Sequence, residues 1–194
     1  LVNPHCHVSM MPFRTLGDDC ADRLRRFLFS LENDAMTRTL VYRAAKYGIC
    51  EMLLAGITTF VDMYYFEDEV AKACEELGIR GFLGETVIGQ PTCDSPEPYG
   101  GLEYGERFIN EWKGNRLVTP VVAPHATYSL SPEMLKRSFE LAEKYDVPYT
   151  IHVCEMEHEM EKFRTEYGKT PVEVMADLGI LDRRTLAAHC VYME

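Results

Sequence analysis

Short apolar segments alternate with longer amphipathic segments along this chain, and that alternation limits its possible folds more than any other feature. The short segments are rich in β-branched and aromatic residues, whereas the longer ones have helical spacing and several end at glycine. Because parallel neighbours need a crossover connection, the alternation predicts a parallel sheet. The predicted strands are residues 1–7, 58–63, 81–85, 117–123, 147–153 and 185–190, and the predicted helices are 37–54, 67–77, 104–112, 131–145 and 170–178.

Six strand–helix units fit either an open doubly wound sheet or part of an eight-stranded barrel. No GxGxxG or Walker sequence follows a predicted strand, which disfavours nucleotide-binding doubly wound folds. No linker rich in Pro, Gly or Ser divides the chain, so residues 1–194 are predicted to form one domain. The chain starts without Met and stops soon after the sixth predicted strand, so we expect a fragment of a longer chain.

The composition indicates a folded globular protein and disfavours polyanions as its partners. Hydrophobic residues make up 46% of the chain and charged residues 26%, and the formal net charge of −11 disfavours nucleic acid and anionic membranes as partners. No apolar run approaches the ~20 residues of a membrane-spanning helix. Seven cysteines without a CxxC pair favour reduced thiols in the cytoplasm. The sequence leaves a homo-oligomer possible.

Five of the six histidines lie at the C-terminal end of a predicted strand. Barrel active sites are assembled at that rim from residues of different strands, so the histidines favour the barrel. We therefore predict an α/β fold, a partial TIM-type (β/α)8 barrel with strands 1–6 present and strands 7–8 missing. The rim histidines are His5, His7, His125, His152 and His189, whereas His158 lies in a Glu-rich run and is predicted to be solvated.

The sequence His5-Cys6-His7 is the first indication of a metal site. Side chains alternate along a strand, so the two imidazoles point the same way and Cys6 points the opposite way. Two imidazoles roughly 6 to 7 Å apart at the backbone can converge on one ion. The competing interpretation is a pair of histidines that are hydrogen-bonded to backbone carbonyls.

His152 and Glu155 form the second indication, at the end of the fifth predicted strand. His152 would complete three neutral nitrogen ligands, and Glu155 could face the open metal position as a proton shuttle, as a non-ligand glutamate does in zinc deaminases of another fold. Alternatively, Glu155 begins a solvated acidic helix, since Glu157, Glu159 and Glu161 follow. Taken singly, His125 and His189 are typical of hydrogen-bonded core histidines, and it is the joint pattern that predicts a site.

Six characteristic stretches are distributed along nearly the whole chain: LVNPHCH (1–7), FRTLGDD (13–19), GITTFVDMY (56–64), APHATYS (123–129), HVCE (152–155) and LAAHC (186–190). Together they closely resemble the amidohydrolase superfamily. Within it they look most like the branch of S-adenosylhomocysteine/5′-methylthioadenosine deaminases and atrazine chlorohydrolase-like enzymes. The HxH pair alone is a weak signal, whereas the ordered set is a strong one.

This resemblance implies one divalent metal ion, held by His5, His7 and His152. The family's fourth ligand, an aspartate after the eighth strand, has no counterpart here, and Asp62 is interpreted as part of the Asp-Met-Tyr segment rather than as a substitute. Two-metal relatives carry a bridging lysine after the fourth strand, where this chain has His125. Imidazole and carboxylate ligands suit zinc, with iron or manganese as alternatives.

The resemblance also implies a reaction. Glu155 and His189 would be the proton-handling pair, His125 and Glu155 would contact the substrate, and Glu32 would bind a ribose. The ion would lower the pKa of bound water from ~15.7 to ~7, and the hydroxide would attack a ring carbon that bears an amine. The predicted function is thus deamination of an adenosine-type purine nucleoside.

Two other functions stay open at this point. A guanine, pterin or triazine aminohydrolase, or a chlorohydrolase, would use the same chemistry with a different pocket. The deaminases carry substrate-binding arginines after the third strand, whereas residues 84–89 read GETVIG, so a preference for a charged homocysteine tail is in doubt. A non-catalytic metal-binding barrel is the third possibility, if the chain is naturally truncated.

Overall fold

The computed structural model describes residues 1–20 and 22–193, and strands alternate with helices throughout this part of the chain. The strands are β1 (Val2–Cys6), β2 (Thr59–Tyr64), β3 (Arg80–Val87), β4 (Val118–Pro120), β5 (Ala123–Pro124), β6 (Tyr149–Val153) and β7 (Thr185–His189). The helices are α1 (Phe29–Ala35), α2 (Arg38–Leu54), α3 (Glu67–Leu77), α4 (Gly101–Trp112), α5 (Pro132–Tyr145), α6 (Glu157–Tyr167) and α7 (Pro171–Asp177).

The strands form one curved, parallel arrangement. β1, β2, β3 and β4 pair in that order, β5 also pairs with β3, and β6 pairs with β7. Parallel bridges from Val122 to Tyr149 and from Ala126 to His152 connect the two sheets. β4 and β5 together are the fourth predicted strand, interrupted at Val121 and Val122. The strands fill six of the eight positions of a TIM-type barrel, so the predicted partial barrel is confirmed.

Local sequence signals explain where several helices begin and end. The Thr37 side chain accepts a hydrogen bond from the Leu40 N–H at the start of α2, and Ser131 does the same for the Met134 N–H at the start of α5. Gly78 ends α3 in the left-handed conformation with φ 74°, which glycine adopts without steric cost. The helices lie outside the strands because their apolar faces pack against the sheet.

Two groups of buried side chains form the core beneath these helices. The first joins β2 and β3 to α2, α3 and α4, with Phe60, Ile49 and Val70 fully buried. The second joins β6 to α5 and α7, with Ile151 and Leu135 fully buried. This packing fixes the positions at which the strands end, and hence the positions of the residues that follow them.

The structure differs from the predicted elements in several places, and α4 begins three residues before the predicted helix 104–112. Residues 8–35 contain a 3₁₀-helix (Val8–Phe13), a π-helical segment (Leu24–Leu28) and α1, none of which the sequence periodicity indicates. β3 continues two residues beyond its predicted end, to Val87. The Glu-rich run forms α6, where Glu157 and Glu161 are exposed but Glu159 is fully buried, so the alternative of a uniformly solvated acidic helix is wrong.

Among the described residues, no helix combines the length and the apolar character that crossing a membrane requires.

Candidate metal centre and active site

Five imidazoles meet at the C-terminal ends of the strands. His5 and His152 are the closest pair, with their Nε2 atoms 3.1 Å apart. The ring centroid of His5 lies 4.9 Å from that of His7 and 5.3 Å from that of His189, and the His125 centroid lies 5.0 Å from that of His152. Residues as far apart in the sequence as His5 and His189 are therefore brought together.

One nitrogen from each of His5, His152 and His189 lies within 4.8 Å of the others, so His5 and His152 are close enough to share an ion and His189 lies beside them. His7, which the sequence assigns as a ligand, uses Nδ1 for a 2.6 Å hydrogen bond to the Met63 carbonyl. Because a carbonyl only accepts, Nδ1 carries the proton and the lone pair is on Nε2. In most metal-binding histidines, the ring nitrogen that does not bind the metal makes a hydrogen bond of this kind, which orients the ring.

The donor set fits a divalent cation. The facing Nε2 atoms of His5 and His152 can share either one proton or a cation, whereas both Nδ1 atoms are buried and have no hydrogen-bond partner in the described chain. Burial and the neighbouring histidines lower the pKa of His5 to about 4, and the same causes lower the pKa of His152. Burial also lowers the pKa of His7. These rings are therefore neutral near pH 7, which is the form that binds metals.

Glu155 lies at the edge of the imidazole cluster, immediately after β6. Its Oε1 is 3.7 Å from Nε2 of His189, and the Tyr128 hydroxyl donates a 3.4 Å hydrogen bond to Oε2. Glu155 is half-buried and His189 is exposed, so the pair faces the opening of the site rather than the core. This position allows Glu155 to exchange protons with a molecule bound beside the imidazoles.

His125 occupies the inner wall of the site. It is buried, its Nδ1 lies 3.0 Å from the Ser129 hydroxyl, and its ring packs 5.6 Å from that of Phe29. Burial and the surrounding histidines lower its pKa to about 3, so the ring is a neutral donor or acceptor near pH 7. His158 lies outside the cluster on the exposed surface of α6, with its ring 6.0 Å from that of Tyr128.

A cavity of about 310 Å³ adjoins the imidazoles. That volume is at the small end of ordinary ligand pockets. The cavity is lined by four of the five clustered histidines and Glu155, by the apolar side chains of Met10, Leu24, Leu28, Phe29 and Met63, and by Arg23, Glu32, Tyr64, Tyr65 and Thr86. Sequence reasoning gave no role to Arg23, Tyr64 or Thr86, although Tyr64 is the last residue of the quoted stretch 56–64.

Glu32, which the sequence assigns to substrate binding, lies in α1 with its carboxylate at this cavity. It is 4% exposed and accepts a 2.7 Å hydrogen bond from the Tyr64 hydroxyl. Burial raises the pKa of Glu32 to about 7, although the hydrogen bond from Tyr64 favours the charged form. The carboxylate has acceptor capacity beyond this one bond, which a bound hydroxyl group could use.

We expect Glu32→Gln to stabilise the protein at high pH. Glu32 has a pKa of about 7 in the fold against 4.5 ordinarily, so its contribution to stability is fully present below pH 4.5 and is lost as the pH rises through 7. Glutamine stays neutral and should raise the free energy of unfolding at pH 8 by about 3 kcal/mol, with little change at pH 4. Urea denaturation at both pH values measures this effect. The exposed Asp34→Asn, in the same helix, should show no such difference, and equal stabilities at pH 8 would contradict the prediction.

Asp62 does not take part in the imidazole cluster. It is fully buried, and its Oδ1 accepts a 2.7 Å hydrogen bond from the Val8 N–H and a 3.4 Å hydrogen bond from the Cys6 thiol. Burial raises the pKa of Asp62 to about 7. The carboxylate thus ties β2 to the residues on either side of His7, which is a structural role.

The fold and the site together define a class of protein: a parallel barrel with a cluster of histidines at the ends of its strands. The amidohydrolase family model matches residues 1–194, and the chain belongs to this family. The chain is 40% identical over 192 residues to a 5-methylthioadenosine/S-adenosylhomocysteine deaminase of Aquifex aeolicus, covering 98% of this chain. It spans 45% of that relative's length.

Solved structures agree with this assignment. An adenosine deaminase from Xanthomonas campestris with bound zinc superposes with a TM-score of 0.92 at 26% identity, over 96% of this chain and 43% of the other. An atrazine chlorohydrolase from Arthrobacter aurescens complexed with zinc gives a TM-score of 0.84 at 21% identity, over 98% of this chain and 48% of the other. The predicted family is therefore confirmed.

Proposed function

We propose that the protein hydrolytically deaminates adenosine-type purine nucleosides, with one divalent cation at the imidazole cluster. The observation that carries this proposal is the placement of Glu155 beside His189, at the edge of both the imidazole cluster and the 310 Å³ cavity. The names of the similar proteins, a deaminase of 5-methylthioadenosine and S-adenosylhomocysteine and an adenosine deaminase, support the choice of substrate class.

His5, His7 and His152 would hold the cation through their Nε2 atoms. Neutral, buried imidazoles suit zinc, and the zinc in both solved relatives supports this choice, with iron or manganese as alternatives. When bound, the cation would supply Lewis-acid activation of water near neutral pH. His189, whose nitrogen lies within 4.8 Å of those of His5 and His152, would face the water rather than complete the ligand set.

Glu155 and His189 would move the protons of the reaction. His189 would orient the attacking water and accept its proton, because one of its nitrogens lies within 4.8 Å of those of His5 and His152 and its Nε2 lies 3.7 Å from Glu155 Oε1. Glu155 would deliver a proton from its carboxyl group to a nitrogen of the purine ring as the water oxygen bonds to the ring carbon. It would then take up the proton of the added hydroxyl group and pass it to the amine, which leaves as ammonia when its bond to the ring carbon breaks. The hydrogen bond from Tyr128 would hold the Glu155 carboxylate in place for both transfers.

Glu32 and His125 would position the nucleoside. The buried Glu32 carboxylate can accept hydrogen bonds from vicinal ribose hydroxyls in addition to the bond from Tyr64. His125, on the opposite wall, would contact the purine ring. The apolar lining contributed by Met10, Leu24 and Leu28 would accommodate an uncharged substituent of the sugar.

The test is ammonia release from a panel of substrates by the full-length, zinc-loaded protein. We expect kcat/KM for 5′-methylthioadenosine, S-adenosylhomocysteine or adenosine to exceed that for guanine or a triazine by ~100-fold or more. Removal of the metal with a chelator should abolish turnover, and added zinc should restore it. Turnover of guanine or triazines alone would contradict the substrate class, and metal binding without any turnover would support a non-catalytic barrel.

A further inference from the structure

Glu159 is a buried carboxylate that collects several hydrogen bonds directly behind the site. It is fully buried at the third position of α6. Its Oε1 accepts a 3.0 Å hydrogen bond from the Cys154 N–H, and its Oε2 accepts bonds of 2.8 Å and 3.5 Å from the N–H groups of Glu155 and Met156. Three successive backbone N–H groups therefore point at one side chain.

Helix capping accounts for only part of this arrangement. In a capping box, a glutamate at the third helical position accepts the N–H of the capping residue, which here is Met156. The bonds from Cys154 and Glu155 lie outside that motif and belong to the turn that carries Glu155. Without Glu159 these buried N–H groups would lose their acceptor, and a buried donor left unpaired is costly.

The turn that Glu159 holds is strained. Cys154 has φ 50°, in the left-handed region that residues with a side chain seldom adopt. Such conformations persist where the surrounding structure imposes them, and they are concentrated at functional sites. Here the left-handed residue reverses the chain just after His152 and turns Glu155 back toward His189.

Glu159 also connects this turn to a second loop of the site. The Thr127 hydroxyl donates a short hydrogen bond to Oε1 of Glu159, and Thr127 is itself buried two residues after His125. The carboxylate thus links the loop after β5 to the loop after β6, and each loop carries a residue assigned to the substrate.

We propose that Glu159 is a positioning residue for the reaction: its carboxylate fixes the turn at residues 154–156 and so places the Glu155 carboxylate beside His189. This inference rests on the proposed function, because it assumes that Glu155 transfers protons. Glu159 does not touch the substrate or the cation, so its removal should affect the rate of proton transfer more than binding.

Glu159→Gln tests the inference, because an amide of the same shape replaces one acceptor oxygen with a donor. In the full-length, zinc-loaded protein we expect kcat to fall ~10–100-fold, the loss that is typical when a residue that holds a site residue in place by hydrogen bonds is replaced. KM and zinc content should stay close to wild type. Amide hydrogen exchange of the peptide containing Cys154–Met156 should become faster, and this readout needs no activity. The control Glu161→Gln makes the same change of charge at an exposed position of α6 and should alter none of these quantities.

The outcomes separate this inference from the proposed function. Unchanged kcat and unchanged exchange in Glu159→Gln, together with a large loss in Glu155→Gln, would overturn the positioning role alone. Faster exchange in Glu159→Gln, together with full turnover by Glu155→Gln, would instead overturn the role of Glu155. If Glu159→Gln does not fold, Thr127→Val decides, since it removes one hydrogen bond to the same carboxylate: faster exchange with a lower kcat supports the inference, and wild-type values for both overturn it.

Discussion

Replacement of Glu155 by glutamine is expected to lower kcat of the zinc-loaded, full-length protein by ~10²–10⁴-fold, the usual contribution of general acid–base catalysis. Glutamine has nearly the same shape and can still accept a hydrogen bond from Tyr128, but it cannot donate a carboxyl proton to the purine ring or to the departing amine. Steady-state ammonia release measures the loss, and elemental analysis should show unchanged zinc content. KM should change much less than kcat.

The matched control for this variant is Glu157→Gln. Glu157 lies two residues further along the chain, is exposed and carries the same charge, so its replacement should leave kcat unchanged. Near-wild-type turnover of Glu155→Gln would remove Glu155 from the proton-transfer role. Loss of zinc from Glu155→Gln would show instead that this carboxylate contributes to metal binding.

Replacement of His152 by alanine is expected to abolish tight metal binding, and turnover with it. The His152 ring lies 4.8 Å from the centroid of His5, 5.3 Å from that of His7 and 5.1 Å from that of His189, so it is the centre of the cluster. Loss of a residue that only hydrogen-bonds to a metal ligand lowers the metal affinity ~10–100-fold, and loss of a direct ligand should lower it further. Equilibrium dialysis with zinc gives the affinity and the stoichiometry.

His158→Ala is the control for metal binding, because it removes an exposed imidazole six residues from His152 and outside the cluster. It should retain both zinc and activity. Wild-type zinc affinity in His152→Ala would contradict the proposed ligand set. A purely structural defect would appear as a lower melting temperature of the metal-free variant, which circular dichroism measures.

Much of the fold could be predicted from sequence because its elements carry local signals. The predicted helix 67–77 has the same bounds as α3, where acidic residues occupy the first turn and glycine ends the helix. The region 8–35 could not be predicted, because neither a 3.6-residue nor a 2-residue period runs through it. Its first element, the 3₁₀-helix Val8–Phe13, packs against α2 and β2, which lie well beyond it in the sequence.

The sequence indicated which histidines lie close together, but not how each surrounding side chain is oriented. Positions at strand ends indicated which histidines would meet, because parallel strands present their C-terminal ends at one rim. The sequence could not show that Glu159 turns inward. Glutamates occupy positions 157, 159 and 161, and on a helix two residues that are two positions apart point in directions that differ by about 200°. The three glutamates therefore cannot all face the same way, and their charge does not reveal which of them faces the core. Arg23 was missed because its segment has no recognisable period.

Cys6 lies between His5 and His7, and the reactivity of its thiol affects how well the site would withstand oxidants and thiol-binding metals. Cys6 points away from the imidazoles and lies 3.4 Å from both the Val61 carbonyl and the Asp62 carboxylate. Burial, together with the negative charge of Asp62, raises the pKa of Cys6 well above that of a free thiol. Because the thiolate is the form that ligates soft metals and reacts with peroxide, Cys6 would neither draw copper or cadmium from the imidazoles nor be readily oxidised.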